Sequence, residues 1–177
     1  MAGDERIRLF CALRLPDDVL DALVAWQHEH LRGGRVVPRE NLHLTLAFLG
    51  ARPVGEVPAV TSALAAAAVG ARDLRFDVRG YRESRSVGMV TFGDEGNRGR
   101  ELAERLFGGL EALRVYRREA RPWLPHVTAL RFRDRPRLAP PPPDVEPFAP
   151  SDAAVYLSRL RPGGAQYEVV ESVVLGG

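Results

Sequence analysis

The chain has 177 residues, 45% of them hydrophobic and 27% charged, with a formal net charge of +2, a profile that fits a folded domain able to bury a core. All 25 basic residues are arginine, which excludes a lysine-ended phosphate loop, Schiff-base chemistry and a lysine general base. The lone Cys11, in the run Leu9-Phe10-Cys11-Ala12-Leu13, excludes an internal disulfide and a Cys-rich zinc site and reads as a small core residue.

The opening Met1-Ala2-Gly3-Asp4-Glu5-Arg6 does not have the basic-then-apolar order of a secretory signal. The longest uncharged stretch, residues 57–71, is too short to cross a bilayer. A cytoplasmic protein without membrane association is therefore expected. Residues 7–13 read as a first strand. Asp17 or Asp18 is expected to cap a helix running to about residue 31, with Val19, Leu20, Leu23, Val24 and Trp26 on its apolar face and Gly33-Gly34 ending it. Residues 42–48 read as a strand, 50–55 as a turn, and 56–69 as a second helix with Pro58 in its first turn. Two further strands follow at 74–81 and 87–92. The loop 93–99 spaces its glycines GxxGxxG and carries two acids, which does not fit a dinucleotide fingerprint. It is expected to be a flexible connection into a helix at about 100–113.

A strand is expected at 127–132, then an arginine-rich stretch to Arg137 and a stiff polyproline surface linker at 140–143. Strands at 153–160 and 166–175 close the chain. The order strand, helix, histidine occurs twice, from Ile7 to His43 and from Val87 to His126. The expected fold class is accordingly α+β. Two similar lobes with antiparallel sheets line a central groove, helices pack outside, and residues 1–177 make a single two-lobed domain.

His43-Leu44-Thr45-Leu46 and His126-Val127-Thr128-Ala129 are the same motif, 83 residues apart. In a strand, residues two apart face the same way. His43, Thr45 and Ala47 then share one face, while Leu42, Leu44, Leu46 and Phe48 form an apolar face that must be buried. His126, Thr128 and Leu130 likewise oppose Val127 and Ala129. Both histidines are thus free to line a cleft. No HExxH is present, His28-Glu29-His30 puts its two imidazoles about 200° apart on a helix, and no GxSxG elbow appears. No metal site and no cofactor are expected. Two opposed imidazoles suit in-line displacement at phosphorus, one taking a proton from water and the other giving one to the leaving oxygen. Thr45 and Thr128 would donate hydrogen bonds to the non-bridging oxygens, and an arginine would offset their charge.

The segments Asn41-Leu42-His43-Leu44-Thr45-Leu46-Ala47-Phe48-Leu49-Gly50 and Arg121-Pro122-Trp123-Leu124-Pro125-His126-Val127-Thr128 closely resemble the LigT-like branch of the two-histidine phosphoesterases, the RNA 2′,3′-cyclic phosphodiesterases also called 2′-5′ RNA ligases. Arg8 to Leu13 is similar to that family's opening strand and Ser158 to Tyr167 to its closing strand and turn, so the likeness runs over about residues 6–175. The resemblance implies metal-independent opening of a terminal 2′,3′-cyclic phosphate on RNA to a 2′-phosphomonoester, with ligation as the reverse reaction. It makes His43 and His126 the catalytic acid–base pair; the preferred assignment has His43 as acid toward the departing 3′ oxygen and His126 as base on water, with the exchanged roles left open. It makes Thr45, Thr128 and Arg131 the phosphate-binding residues.

One point departs from the family pattern. The chain reads Thr128-Ala129-Leu130-Arg131 where the family reads Thr-Leu-Ala-Arg, and strict alternation turns Arg131 away from His126 unless the strand bulges. Phe10, Phe48, Trp123, Tyr81 and Tyr167 are available to a base, although parity assigns Phe48 to the buried side. Arg131, Arg133, Arg135 and Arg137 could steer an RNA backbone. A monomer is expected. The competing readings are a 2′-5′ oligonucleotide or small cyclic-nucleotide phosphodiesterase, and a catalytically idle module that binds RNA ends.

Overall fold

The computed structural model describes residues 5–176, so the acidic opening at Met1 to Asp4 lies outside the described residues. The first sheet has the strand order β3-β1-β7-β8, with β1 (Arg6–Arg14), β3 (Leu44–Pro53), β7 (Asp152–Arg161) and β8 (Gly164–Val173). The second has the order β2-β6-β5-β4, with β2 (Arg35–Val36), β4 (Phe76–Glu83), β5 (Val87–Asp94) and β6 (His126–Arg131). Every pairing is antiparallel. Helices α1 (Asp17–His30), α2 (Val57–Val69) and α3 (Arg98–Ala112) complete the α+β, two-lobed arrangement.

The repeated order seen in the sequence is a repeat in space. β1 leads through α1 to its neighbour β3, and β5 leads through α3 to its neighbour β6. The two-residue β2, which no periodicity marks, leaves the first half of the chain and pairs with β6 of the other sheet. Core residues of both sheets, among them Leu9, Leu13, Leu44, Val90, Val127 and Leu130, belong to one continuous apolar cluster. Burying it from both sides holds the lobes together.

β1 has five consecutive fully buried residues, Leu9 to Leu13, because it is a central strand covered on both faces. Leu9, Cys11 and Leu13 point into the main core. Phe10 and Ala12 join Ala154, Tyr156 and Tyr167 in a small cluster on the opposite, groove side.

Several local expectations change. α1 starts after Pro16 without a side-chain cap, and Asp17 and Asp18 lie inside its first turn, where their charge complements the helix dipole. α1 ends at His30, ahead of Gly33-Gly34, and those glycines belong to the strap that becomes β2. β3 starts at Leu44, leaving His43 immediately before it, and continues to Pro53 through the stretch read as a turn. The loop at 93–99 is an organised junction instead of a flexible one. The Asp94 carboxylate accepts from the amides of Gly99 and Arg100, each at 2.8 Å, while Gly96 and Asn97 turn at φ of 63° and 56°. The polyproline stretch has no regular secondary structure and is docked, with the Trp26 indole donating to the Pro141 carbonyl at 2.7 Å and Pro143 buried. No helix among the described residues is long and apolar enough to cross a membrane.

Asp94 thus supplies the N-terminal cap of α3 from the end of β5. Asp94→Ala should destabilise the fold by about 1–2 kcal/mol in urea titration, and Asp94→Asn, which keeps the acceptor, should lose less.

Candidate active site

Each histidine strand carries an extra residue at the same place, and β3 has a second further on, at Leu49. Opposite β1, Ala12 pairs with Thr45 and Cys11 with Ala47, so Leu46 is left over. Opposite β5, Met89 pairs with Thr128 and Gly88 with Leu130, so Ala129 is left over. A bulge of this kind inverts the alternation beyond it. Leu46 and Ala47 are both buried, at 3% and 2% exposure, and so are Ala129 and Leu130, at 2% and 0%. The fifth residue after each histidine therefore returns to the face of the His and Thr. In β3 that residue is Phe48, which is 49% exposed and lines the cleft with Thr45 and His126. Its assignment to the buried face by parity is overturned. In β6 the residue is the exposed Arg131. The same bulge removes the parity objection to it.

The imidazoles are held alike. His43 Nδ1–H donates to the Asn41 carbonyl at 2.8 Å, and His126 Nδ1–H to the Leu124 carbonyl at 2.9 Å. A carbonyl can only accept, so both rings carry the Nδ1 proton when neutral and leave Nε2 as the working nitrogen. Neutral His43 uses Nε2 to accept from the Thr45 hydroxyl at 2.8 Å. Asn41 is buried and anchored by donating its amide to Ala165 at 2.8 Å.

The two rings differ in their surroundings. His43 lies against Phe10, with centroids 4.8 Å apart, Tyr156 at 5.7 Å and Tyr167 at 5.4 Å. Burial in this aromatic collar pushes its pKa down to about 4, and the positive charges of His126 and Arg131 act in the same direction against the Asn41 hydrogen bond. His126 stands instead at the open rim, where its hydrogen bond to Leu124 is exposed to solvent. Thr45 and His126 line one cleft, His43 reaches it through its bond to the Thr45 hydroxyl, and Arg131 stands at the far end of the His126 strand beyond the bulge. Thr45 and Thr128 stand half-buried on the same faces. No carboxylate pairs with Arg131 among the described residues. Nor does any group of three or more His, Cys, Asp or Glu sit where it could hold a metal ion among those residues.

A cavity of about 360 Å³ opens beside His126 and Thr45, walled by Phe48, Met89, Tyr116 and Trp123. Of the other expected cations, Arg133 is exposed and only the Arg135 side chain is paired among the described residues. Arg135 and the backbone of Arg137 are engaged by Glu83, whose side chain is only 2% exposed.

Three contributions escape a reading of the sequence, although two of the residues, Trp123 and Phe48, are named there as aromatics available to a base. Trp123 donates its indole N–H to the Thr45 carbonyl at 2.9 Å, tying the loop before His126 to the other motif. Phe48 is concealed by the bulge. Gln27 is 1% exposed and donates to the Val37 carbonyl at 3.0 Å and the Ala129 carbonyl at 2.9 Å. Its signal is a polar residue continuing the α1 stripe of Val19 and Leu23 at four-residue spacing.

Residues 13–86 match the LigT like phosphoesterase family. The chain is 35% identical to an RNA 2′,3′-cyclic phosphodiesterase of Thermus thermophilus, over 97% of this chain and 91% of the relative. It is 28% identical to an RNA 2′,3′-cyclic phosphodiesterase of Escherichia coli (strain K12), over 90% of this chain and 92% of the relative. The crystal structure of TT0787 of Thermus thermophilus superposes with a TM-score of 0.80 at 34% identity, covering 97% of this chain and 99% of that one.

Burial of His43 makes stability depend on pH. Its pKa falls from 6.5 to about 4 on folding, so between these values the unfolded chain binds the proton and the folded chain does not. Stability from this group is complete above the unfolded pKa and declines as pH falls toward 4, by at most ~3 kcal/mol. Urea midpoints should fall between about pH 7 and 5, and His43→Gln should flatten that slope.

Proposed function

The chain belongs to the LigT-like phosphoesterase family, and on that footing we propose that it opens the terminal 2′,3′-cyclic phosphate of RNA to a 2′-phosphomonoester with His43 and His126 as its acid–base pair. The observation that carries this reading is the matched placement of the two imidazoles. They sit before equivalent bulges, each with Nδ1 tied to a carbonyl and Nε2 left for chemistry, and the fifth residue after His126 is an exposed arginine with no carboxylate partner among the described residues. RNA as the substrate is supported by the activity named for the two relatives.

The division of labour follows from access. His126 stands at the open rim and can hold a water, so it takes the proton as the water oxygen bonds to phosphorus. His43, enclosed in its collar with Nε2 covered by Thr45, delivers a proton to the 3′ oxygen as the P–O3′ bond breaks. The phosphate stays on the 2′ oxygen, and solvent returns the transferred proton between turnovers. Thr45, Thr128 and Arg131 neutralise the charge that gathers on the non-bridging oxygens. The five side chains supply both proton transfers and the charge stabilisation without a metal. With a 5′-hydroxyl in place of water, the same in-line attack with departure of the 3′ oxygen joins a 2′-5′ linkage, and its reverse cleaves one.

Burial leaves His43 neutral in the empty cleft, so the acid takes its proton as the substrate docks. A phosphate anion between the rings and Arg131 favours the charged imidazole. That protonation also ends the Thr45 bond to Nε2, since a protonated nitrogen cannot accept, and frees the hydroxyl to donate to a phosphate oxygen.

In excess EDTA the wild-type chain should turn over an oligonucleotide ending in a 2′,3′-cyclic phosphate. His43→Ala and His126→Ala should each lose about 10³-fold in kcat while still binding a nucleoside 2′-phosphate. Unchanged turnover in either variant would sink the mechanism. A substrate with sulfur in place of the bridging 3′ oxygen needs no acid, so it should rescue His43→Ala and leave His126→Ala inactive. Rescue of His126→Ala alone would exchange the two roles.

Proton uptake is a separate expectation. Sulfate, a tetrahedral anion of fixed charge near neutrality, should bind more tightly as pH falls from about 7 to 5. Calorimetry in buffers of different ionisation enthalpy should show protons taken up, and fewer of them for His43→Gln. Equal uptake by the two proteins would remove His43 from this role.

A further inference from the structure

The bulge in β6 that turns Arg131 toward the histidines is held from behind by a single buried side chain. Ala129, the extra residue, has no partner on β5. Its carbonyl faces the other way and accepts the Val37 amide at 3.0 Å and the Gln27 side-chain amide at 2.9 Å. Gln27 gives its second amide hydrogen to the Val37 carbonyl at 3.0 Å. One amide nitrogen thus clamps the strap after β2 to the bulge. The strap in turn fixes Arg131 itself, since β2 pairs Arg35 with Arg131 and Val36 with Leu130. The strap lies so close that a Cβ at Gly34 would collide with the Arg131 carbonyl oxygen.

A buried amide needs a reason, because leaving it unsatisfied is costly and an apolar residue would serve the α1 stripe as well. Helix formation does not supply one, since Val19 and Leu23 already provide the packing. The regular ladder does not either. Without the clamp, β6 could drop its extra residue and pair evenly with β5, and that shift would carry Arg131 to the opposite face.

We propose that Gln27 is a positioning residue for phosphate recognition, acting through the β6 bulge to hold Arg131 on the face of His126 and Thr128. It touches no substrate. Its effect reaches the reaction only through Arg131, and this inference rests on the phosphate-binding role given to Arg131 above.

The test is a double-mutant cycle with Gln27→Met, which keeps length and bulk but removes both donors, and Arg131→Ala. Gln27→Met should lower kcat/KM about tenfold and weaken inhibition by inorganic phosphate by a similar factor, while the pH–rate limbs stay in place. In the Arg131→Ala background, already reduced about a hundredfold, it should cost nothing further. Gln27→Asn, one methylene short but still an amide in the core, should show the same dependence on Arg131 at less cost to the fold. A loss from either variant that is equally large with and without Arg131 would make Gln27 a merely structural residue and overturn the proposal. Unchanged phosphate inhibition in Gln27→Met would do the same. If Arg131→Ala alone keeps full activity, the reading of Arg131 fails, and this inference falls with it for a reason that single variant identifies.

Discussion

One extra residue in each of two strands determines what the cleft contains. In an unbroken strand, His, Thr and the fifth residue after the His cannot share a face, because the spacing changes from even to odd. Leu46 and Ala129 absorb the odd residue, and each bulge keeps two neighbouring apolar side chains buried. Phe48 and Arg131 consequently occupy equivalent places in the two lobes. The repeat therefore delivers a matched pair of imidazoles and hydroxyls, then an unmatched pair of neighbours, one aromatic and one cationic. A site that must hold a phosphate and whatever carries it has use for that difference.

The two histidines differ in the same spirit. Identical tethers to backbone carbonyls fix their tautomers, but the rings have opposite surroundings, an aromatic collar for His43 and an open rim for His126. The collar depresses the pKa of His43 by desolvation first and by neighbouring charge second. An anion entering the cleft offsets both, because it compensates the positive charges and gives the desolvated imidazolium a partner. Binding and protonation are thus coupled by ordinary electrostatics, with no moving part larger than the Thr45 hydroxyl.

Much of this is legible in the sequence because the features are local. The doubled His-x-Thr, the strand–helix–strand repeat and the apolar stripe of α1 each depend on spacing within a few turns or pleats. Other features are hidden for physical reasons. Alternation assumes an unbroken ladder, so it misassigns Phe48 and leaves Arg131 in doubt, and a bulge depends on the partner strand's register. β2 is two residues long and exists only because β6 offers it an edge. Asp94 reads as part of a polar loop, although its carboxylate organises the start of α3 across the intervening turn.

The bulges are also where the two halves of the chain hold each other. In β3 the carbonyl of Thr45, just before the extra Leu46, accepts the indole N–H of Trp123 from the second half. In β6 the carbonyl of the extra Ala129 accepts the amide of Gln27 and the backbone of Val37 from the first half. A carbonyl that its own ladder does not use must find a donor when it lies in the interior. Here each donor comes from the opposite half, so the defect that aims the functional side chains also fixes the separation of the lobes. Stabilisation of a developing charge works only if the dipoles and cations already stand where the charge will appear. A groove whose walls are cross-tied at the points that aim its side chains meets that condition before any substrate arrives.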